Sequence, residues 1–511
     1  MKNMKKLISI LLTLVMALAL TVPAFAEGTY SITINNSATG HTYEAYQIFT
    51  GDLSEKTLSN IVWGSGISEA GKTALGDAAA KAETLKTEAD AKAFAKEVTP
   101  YLTTAAGSAN TATGGNYVIS GLAAGYYLVK DKDSSLTGGS DAYTEYIVKV
   151  VSDATATPKS DVPEVEKKVK DINDSVDTAM TDWLDSADYD IGDSVPFQLK
   201  ATLADNVSSY TTYKVVFHDT LSKGLTYNSD AKVYIGGTET NGFTVTSTVN
   251  TDGTTTLTVS CNDVKALGAD NNSVITVEYT ATLNENATVG SAGNTNKVKL
   301  EYSNNPNNSG TGNNETGNTP EDTVVVFTYK TIINKVTKNP NYDPNVTGSQ
   351  EYIPLTGAEF TLEKKILGDN PDTNEKAESE YWKAITVVKI NKGTTFTFSG
   401  LDDGKYRLTE TKTPAGYNTI DPIEFTISAE HATESATPTL TSLSGNATGS
   451  VITFTSNPSE GSLSADVVNQ AGAVLPETGG MGTTLFYILG SVLVLGAGVL
   501  LVVKKRMGAD K

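Results

Sequence analysis

Hydrophobic and polar positions alternate over most of this chain, and such alternation is typical of β-strands with one buried face. In the first part, residues 30–34 alternate in this way, and short apolar segments recur in residues 116–119, 125–129 and 146–151. Residues 68–102 are different, because they are dense in Ala, Lys and Glu, which favour helices. The pattern predicts a β unit over residues 27–160 with a helical insert on its surface.

Two further stretches with the same alternation follow, and we expect each to form a β-sandwich because short strands alternate with Gly, Asn and Asp turns. The first of them covers residues 161–302 and the second covers residues 323–472. Residues 303–322 consist almost entirely of Asn, Gly, Ser, Thr, Pro and acidic residues, which cannot bury a core, so we predict a linker there. The fold class is therefore predicted to be mainly β, with three sandwich units in tandem.

Two long apolar runs, one near each end, interrupt this pattern. The run at residues 7–22 follows three lysines and precedes Ala-Phe-Ala at residues 24–26. This arrangement predicts a signal peptide over residues 1–26 and export of the chain. The run at residues 484–503 contains no charge and is followed by three basic residues, which predicts a transmembrane helix retained on the cytoplasmic side.

The composition narrows the classes of partner and chemistry. The formal charge is −20, and the signal peptide and the segment after Thr478 each carry +3, so the mature segment carries −26. Such an acidic surface argues against nucleic acid as a partner. The single cysteine, Cys261, allows no intrachain disulfide, and the sequence contains no metal or nucleotide motif, so we expect neither a metal nor a cofactor.

A pentapeptide just before the second apolar run changes the interpretation of that run. It reads Leu475, Pro476, Glu477, Thr478, Gly479, and with the apolar run and the basic tail it resembles the cell-wall sorting signal of Gram-positive surface proteins. The resemblance implies that a sortase cleaves between Thr478 and Gly479 and transfers the threonyl carbonyl to an amine. It further implies a secreted protein that is covalently attached to peptidoglycan or to a pilus, with residues 473–511 serving as the sorting signal.

A second motif lies in the third unit. Residues 406–417 read YRLTETKTPAGY, and together with LTGAEF at residues 355–360 they resemble the E-box of collagen-adhesin B-type domains, immunoglobulin-like sandwiches found in Gram-positive pilins. In that family a glutamate promotes an amide bond between a lysine on the first strand and an asparagine on the last strand. The resemblance implies Glu410 as the promoter, Asn469 as the asparagine and Lys335 as the lysine, with Lys330 as the alternative.

The chemistry of such a bond explains why these residue types must be buried together. A lysine attacks a carbonyl only as the neutral amine, and desolvation favours the neutral form. A neighbouring carboxyl can move a proton to the departing ammonia. Because folding holds the two partners side by side, the reaction requires no separate enzyme. We therefore predict that the protein is a sortase substrate that modifies itself, rather than a turnover enzyme.

The second unit carries a weaker version of the same pattern. Its segments VEKKV (165–169), HDTL (218–221) and NKVKLEY (296–302) resemble the first strand, the acid-bearing strand and the last strand of collagen-adhesin A-type domains. The implied set is Lys168, Asp219 and Asn296, with Lys167 and Asn294 as alternatives.

The first unit departs from the pattern. Residues 28–55 contain no lysine, and Lys130 stands where the promoting glutamate would be. We predict no internal amide bond in this unit.

Polymerising pilins also need a lysine that accepts the threonyl group of the next subunit. The stretch TATPK at residues 155–159 resembles the family's acceptor motif, which identifies Lys159 as the candidate. Lys149, Lys167 and Lys170 are alternatives. The resemblance as a whole is to backbone pilins of sortase-assembled fimbriae. It implies sortase, identical pilin subunits and peptidoglycan as partners, with minor pilins and host surface ligands as further possibilities. The alternative is a monomeric wall-anchored adhesin or a minor pilin.

Overall fold

The computed structural model describes residues 29–112, 114–136, 138–159, 161–175, 182–307, 315–368, 380–385, 388–472 and 481–507. The predicted signal peptide lies outside the described residues, and so does the pentapeptide at residues 475–479.

The first unit contains two facing sheets. Their strand orders are β5-β1-β8 and β3-β2-β6-β7, with β4 beside β2. The inward residues Ile32, Tyr43, Ile119 and Val129 pack between the sheets, as the alternating pattern requires. The strands are β1 (Tyr30–Asn35), β2 (Tyr43–Ser54), β3 (Thr57–Trp63), β4 (Gly107–Ala109), β5 (Asn116–Leu122), β6 (Gly125–Asp131), β7 (Glu145–Val150) and β8 (Ala154–Ala156).

The predicted helical insert is confirmed. It contains α1 (Glu69–Leu75), α2 (Ala78–Thr84) and α3 (Glu88–Val98), and each helix begins after a residue whose side chain accepts a hydrogen bond from a backbone N–H of the first turn. Phe94 of α3 stacks on Phe49 of β2 with ring centroids 5.5 Å apart. The insert therefore covers the outer face of the second sheet with a second apolar cluster.

The second unit is a sandwich of two larger sheets. Their strand orders are β10-β21-β19-β12-β17-β16, with β20 beside β19, and β15-β14-β18-β11-β9, with β13 beside β18. The strands are β9 (Glu164–Val169), β10 (Ser186–Asp188), β11 (Ser194–Thr202), β12 (Val215–Leu221), β13 (Leu225–Tyr227), β14 (Lys232–Ile235), β15 (Thr238–Thr240), β16 (Thr244–Val249), β17 (Thr255–Cys261), β18 (Val274–Leu283), β19 (Asn294–Ser303), β20 (Thr316–Asn318) and β21 (Asp322–Phe327).

Strand β21 belongs to the sheet of the second unit, although we expected it to open the third. It pairs antiparallel with β19, and alternate residues point to opposite sides. Val324 and Val326 enter the core of the second unit, whereas Val325 and Phe327 enter the core of the third. The expected linker is likewise only partly a linker, because β20 within it pairs with β19.

The third unit is again a two-sheet sandwich. Its strand orders are β26-β27-β22-β32-β31, with β23 beside β22, and β25-β24-β28-β29-β30. The expectation of a mainly β protein built from tandem sandwiches is thereby confirmed. The strands are β22 (Tyr329–Lys338), β23 (Tyr352–Pro354), β24 (Glu359–Leu367), β25 (Glu380–Ala384), β26 (Val388–Asn391), β27 (Thr395–Leu401), β28 (Gly404–Lys412), β29 (Ile423–His431), β30 (Leu440–Ala447), β31 (Thr455–Asn457) and β32 (Ser462–Asn469).

The last element is helix α4 (Met481–Met507). Among the described residues, no helix meets the length and apolar content needed to cross a membrane. The transmembrane span predicted at residues 484–503 is thus not found. Within α4, the structure describes the side chains of residues 486–501 and 504, so part of this prediction lies outside the described side chains.

Candidate intramolecular crosslink sites

In the third unit, the first and last strands are direct neighbours. Strands β22 and β32 pair in parallel, with Thr337 opposite Asn469. Because side chains alternate between faces, Lys335 lies on the same face as Thr337 and enters the core beside Asn469. Lys330, the alternative, is five positions before Lys335 and therefore faces the other way. Its side chain is only half-buried.

The three predicted residues of the third unit lie in contact and are fully enclosed. Lys335 Nζ donates a hydrogen bond to Asn469 Oδ1. Asn469 Nδ2 donates to Glu410 Oε1 at 3.1 Å and to Oε2 at 3.2 Å, and Lys335 Nζ lies 3.4 Å from Glu410 Oε1. The amide carbon of Asn469 therefore lies between the amine and the carboxyl.

The surroundings of Lys335 favour its reactive form. Burial lowers the pKa of its ammonium, and the charge of Glu410 only partly opposes this effect. The Phe360 ring lies 5.5 Å from Nζ and forms part of the apolar wall. A lysine in this position carries the neutral amine more often than a lysine in water does, which is the form that can attack an amide carbon.

The second unit contains a comparable set, but it includes Lys167 instead of Lys168. Strand β9 directs Lys167 into the core, where Nζ lies 2.6 Å from Asp219 Oδ1. Lys168, the next residue, points to the outer face and pairs with Asp185. The prediction of Lys168 as the buried lysine was therefore wrong. Adjacent residues of a strand occupy opposite faces, and the sequence KK did not reveal which lysine is inside.

A tyrosine that the sequence reasoning missed lies at the centre of this second set. Tyr279 Oη donates a hydrogen bond to Asp219 Oδ2 and lies 3.2 Å from Lys167 Nζ. Asn296 Nδ2 donates to the same hydroxyl at 2.7 Å. The alternation of residues 274–283 gave a signal that Tyr279 is inward, because it lies between the buried Val277 and Ala281.

Asn296 fits this set better than the alternative Asn294. Asn294 is engaged by backbone groups, because its amide donates to Thr288 O and Val326 O and accepts from Thr288 N. Asn296 Oδ1 is buried and has no hydrogen-bond partner in the described part of the chain. Its carbonyl is therefore open to a new interaction.

Burial also shifts the pKa values of the second set in the direction that the chemistry requires. It lowers the pKa of Lys167, against the opposing charge of Asp219. It raises the pKa of Asp219, against the opposing charge of Lys167. Both shifts favour the neutral amine beside a protonated carboxyl.

The candidate acceptor for a neighbouring subunit is in a very different setting. Lys159 lies between β8 and β9 with its side chain 75% exposed, and it pairs with Glu88 at 3.3 Å. Among the alternatives, Lys167 is fully buried, Lys149 is partly covered on β7, and Lys170 lies over the Trp183 ring at 4.8 Å. In the first unit, Lys130 pairs with Asp133 at 2.7 Å.

Three family models match separate stretches of the chain. Residues 191–306 match the Gram-positive pilin backbone subunit 2, Cna-B-like domain, although the motif in this unit had pointed to the A type. Residues 346–441 match a prealbumin-like fold domain, and residues 467–507 match the LPXTG cell wall anchor motif.

Similar whole proteins include surface pilins. The trypsin-resistant surface T6 protein of Streptococcus pyogenes is 25% identical over 411 residues, which is 69% of this chain and 70% of that protein. The solved T6 backbone pilin of serotype M6 S. pyogenes covers 88% of this chain and 100% of its own, with 18% identity and a TM-score of 0.54. The major pilin SpaD of Corynebacterium diphtheriae has 18% identity and a TM-score of 0.47, with coverage of 87% and 98%.

Proposed function

We propose that this chain, a Gram-positive backbone pilin by its domains and its LPXTG anchor motif, is joined head to tail into a covalent pilus. In each joint, sortase transfers the carbonyl of Thr478 to the amine of Lys159 in the next subunit. The exposure of Lys159 supports this choice, because an acceptor amine must reach the active site of another protein. The chain is a wall-anchored structural protein.

The observation that carries the proposal is the buried set of Lys335, Glu410 and Asn469. We propose that Lys335 Nζ attacks Cγ of Asn469, so that a new C–N bond forms and the Cγ–Nδ2 bond breaks. Glu410 takes the proton that the attacking amine loses and gives it to the departing nitrogen, which leaves as ammonia. Atoms balance as amine plus carboxamide giving a secondary amide plus ammonia.

The second set supports an equivalent bond between Lys167 and Asn296. Asp219 takes the place of the glutamate. The Tyr279 hydroxyl connects Asp219 to Asn296, because it contacts the carboxyl, the lysine and the asparagine. Proton transfer from Lys167 to the departing nitrogen passes through Asp219, with the Tyr279 hydroxyl as the bridge to Asn296.

These bonds suit a protein that transmits tension. The chain enters the third unit along β22 and leaves it along β32, so a bond between Lys335 and Asn469 carries force across the sandwich without unzipping it. In the second unit the bond joins β9 to β19. When Lys159 is the acceptor, the force passes from Thr478 through the third and second units to Lys159. The first unit, in which we expect no such bond, lies outside this path.

Polymerisation is tested on cells that express the chain together with its sortase. Wall extracts boiled in SDS are expected to contain a ladder of high-molecular-weight species, and Lys159→Ala is expected to abolish it. Lys149→Ala is the matched control and should leave the ladder intact. A ladder that persists in Lys159→Ala contradicts the choice of acceptor, and a wild-type chain without any ladder indicates a monomeric wall-anchored protein.

A further inference from the structure

Seven acidic side chains lie together at the junction between the second and third units, and three of them, Asp188, Asp190 and Asp402, are buried. One lysine, Lys364, and one histidine, His431, lie among them in the part of the chain that the structure describes. The acidic residues are Asp171, Asp174, Asp188, Asp190, Asp193, Asp402 and Asp403. Carboxylates removed from water need a compensating positive charge. The two halves of this cluster differ in whether a lysine supplies that charge.

One half of the cluster surrounds a lysine. Lys364 Nζ lies 2.5 Å from Asp174 Oδ1, 2.7 Å from Asp190 Oδ2 and 2.6 Å from Asp402 Oδ1. The Tyr406 hydroxyl adds a hydrogen bond to Asp190 at 3.2 Å. This half already contains its cation.

The other half consists of Asp171, Asp188 and His431, and it has no lysine. His431 Nε2 lies 3.5 Å from Asp171 Oδ2 and 3.9 Å from Asp188 Oδ1. One ligand atom from each of the three residues lies within 4.8 Å of the others. Both separations from Nε2 are longer than the roughly 2.7–3.2 Å of a normal hydrogen bond, so neither carboxylate is tightly paired with this nitrogen.

The orientation of His431 is set by its second nitrogen. Ser186 Oγ donates its single proton to Ala432 O at 2.8 Å, so it must act as the acceptor in its 2.8 Å contact with His431 Nδ1. Nδ1 therefore carries a proton, and in the neutral ring the lone pair is on Nε2, which faces the two carboxylates. Metal-binding histidines are held in this way, with the other ring nitrogen donating to an oxygen.

Asp188 is a buried carboxyl with one oxygen that lacks a hydrogen-bond donor in the part of the chain that the structure describes. Its side chain is only 4% exposed, and Oδ2 accepts no hydrogen bond from the described residues. The Tyr329 hydroxyl lies near this carboxyl but is also without a hydrogen bond of normal geometry among the described residues. A buried carboxylate oxygen without a donor is costly unless a cation completes its surroundings.

We propose that Asp171, Asp188 and His431 form a binding site for a divalent transition-metal ion, with zinc as the best match, that joins the second unit to the third. Asp171 follows β9 and Asp188 ends β10, both in the second unit, whereas His431 ends β29 of the third. An ion held by all three ties the two units together where no crosslink is proposed.

The ligand types select the class of metal. One imidazole nitrogen and two carboxylates suit zinc, whereas calcium and magnesium favour all-oxygen sites. Bonds of about 2.0–2.2 Å place tetrahedral ligands roughly 3.3–3.5 Å apart, so the two separations from His431 Nε2, 3.5 Å and 3.9 Å, need to close by up to about half an ångström. Asp171 is already oriented, because its Oδ1 accepts a hydrogen bond from Asp188 N at 3.3 Å. Its side chain is 16% exposed and gives access from solvent.

The test is calorimetric titration of the mature chain (residues 27–478), freed of metal by a chelator, with Zn²⁺ and separately with Ca²⁺. We expect one equivalent of Zn²⁺ to bind, with Ca²⁺ binding at least about tenfold more weakly. His431→Gln and Asp188→Asn should abolish the Zn²⁺ site, and Ser186→Ala should weaken it about 10–100-fold. His218→Gln is the matched control, because it removes a histidine elsewhere in the second unit.

A spectroscopic measurement keeps the result independent of folding defects. Co²⁺ in place of Zn²⁺ should give visible absorption in the wild-type chain and in His218→Gln, but not in His431→Gln. Circular dichroism must show that each variant is folded. Absence of Zn²⁺ binding to the folded wild-type chain overturns the proposal, and so does unchanged binding in His431→Gln. Loss of the pilus ladder would bear only on polymerisation, because this site does not depend on Lys159.

Discussion

Lys167 and Lys168 are consecutive residues of β9, yet one is enclosed in the core and the other lies on the outer face. Lys167 Nζ is 2.6 Å from Asp219 Oδ1, and Lys168 pairs with Asp185 outside the core. The two positions have the same side chain and the same strand, so they differ only in the direction of the side chain. They therefore form a matched pair for testing the proposed chemistry.

The first prediction uses this pair. The mature wild-type chain should be lighter than its sequence by two molecules of ammonia, one for each amide bond. Lys167→Ala should lack only one ammonia, because the amine of the second unit is removed. Lys168→Ala should still lack two. Intact mass spectrometry measures the difference directly. A Lys168→Ala chain that lacks only one ammonia would show that the outer lysine reacts.

The second prediction concerns Glu410. Glu410→Gln preserves the shape of the side chain but removes the group that moves the proton. The amide bond of the third unit should then not form, and the intact mass should show that this unit has lost no ammonia. Lys335 and Asn469 are 134 positions apart, and a crosslink that closes a loop of this length contributes about 5 kcal/mol to the free energy of unfolding. The denaturation midpoint of the third unit should fall accordingly. Glu424→Gln, at an exposed position of β29, should change neither quantity.

The third prediction concerns Tyr279. Tyr279→Phe keeps the ring but removes the hydroxyl that contacts Asp219, Lys167 and Asn296. Loss of a buried hydrogen bond that contributes about 1.4 kcal/mol should slow amide formation in the second unit by about tenfold. Mass spectra taken at intervals after synthesis report the rate. Tyr227→Phe is the control, because its ring packs 5.6 Å from Tyr279 without joining the set. Equal rates in the wild-type and Tyr279→Phe chains would show that the hydroxyl is only structural.

The fourth prediction concerns the pH dependence of the first unit. His41 is buried between Asp131, 2.8 Å from Nδ1, and Asp141, 3.1 Å from Nε2, with Tyr43 and Tyr117 against its ring. Burial alone would lower the pKa of His41, but the hydrogen bonds and charges of the two aspartates outweigh burial and raise it to about 9.

A raised pKa means that the folded unit holds its proton more tightly than the unfolded chain does. The stabilisation is fully present below about pH 6.5, the ordinary value, and is lost as the pH rises through about 9. The difference corresponds to about 3 kcal/mol. Denaturation of the first unit, measured from pH 6 to pH 10, should show this loss, and His41→Gln should flatten the profile. A wild-type profile as flat as that of His41→Gln would contradict the assignment, and His218→Gln serves as the control.

The third unit shows how much a sequence motif can predict. The E-box located Glu410, and the first and last strands offered few lysines and one asparagine, so Lys335 and Asn469 could be named before the structure was known. The structure brings these three residues into contact. The motif could name residues that lie in contact because it ties residue identity to strand position.

The second unit shows where the prediction failed. The predicted Asp219 and Asn296 both lie inside the sandwich, but the predicted Lys168 lies on the outer face. A shift of one residue along a strand exchanges its two faces, and the sequence did not show which lysine points inward. Tyr279 was missed because an inward tyrosine in an alternating strand looks like an ordinary core residue. The boundary near residue 322 was misplaced for a related reason, since β21 contributes to two cores and its alternation fits either unit.

The sequence by itself determined the tandem β architecture, the sorting motif and the residues that we propose to react in the third unit, because these depend on local periodicity and on short motifs. Only the tertiary structure decided which lysine of β9 is buried, how Tyr279 joins its set, and that Asp171 and Asp188 meet His431. The last of these contacts joins residues more than two hundred positions apart on different units. Packing between sheets creates such contacts, and periodicity along a single strand carries no information about them.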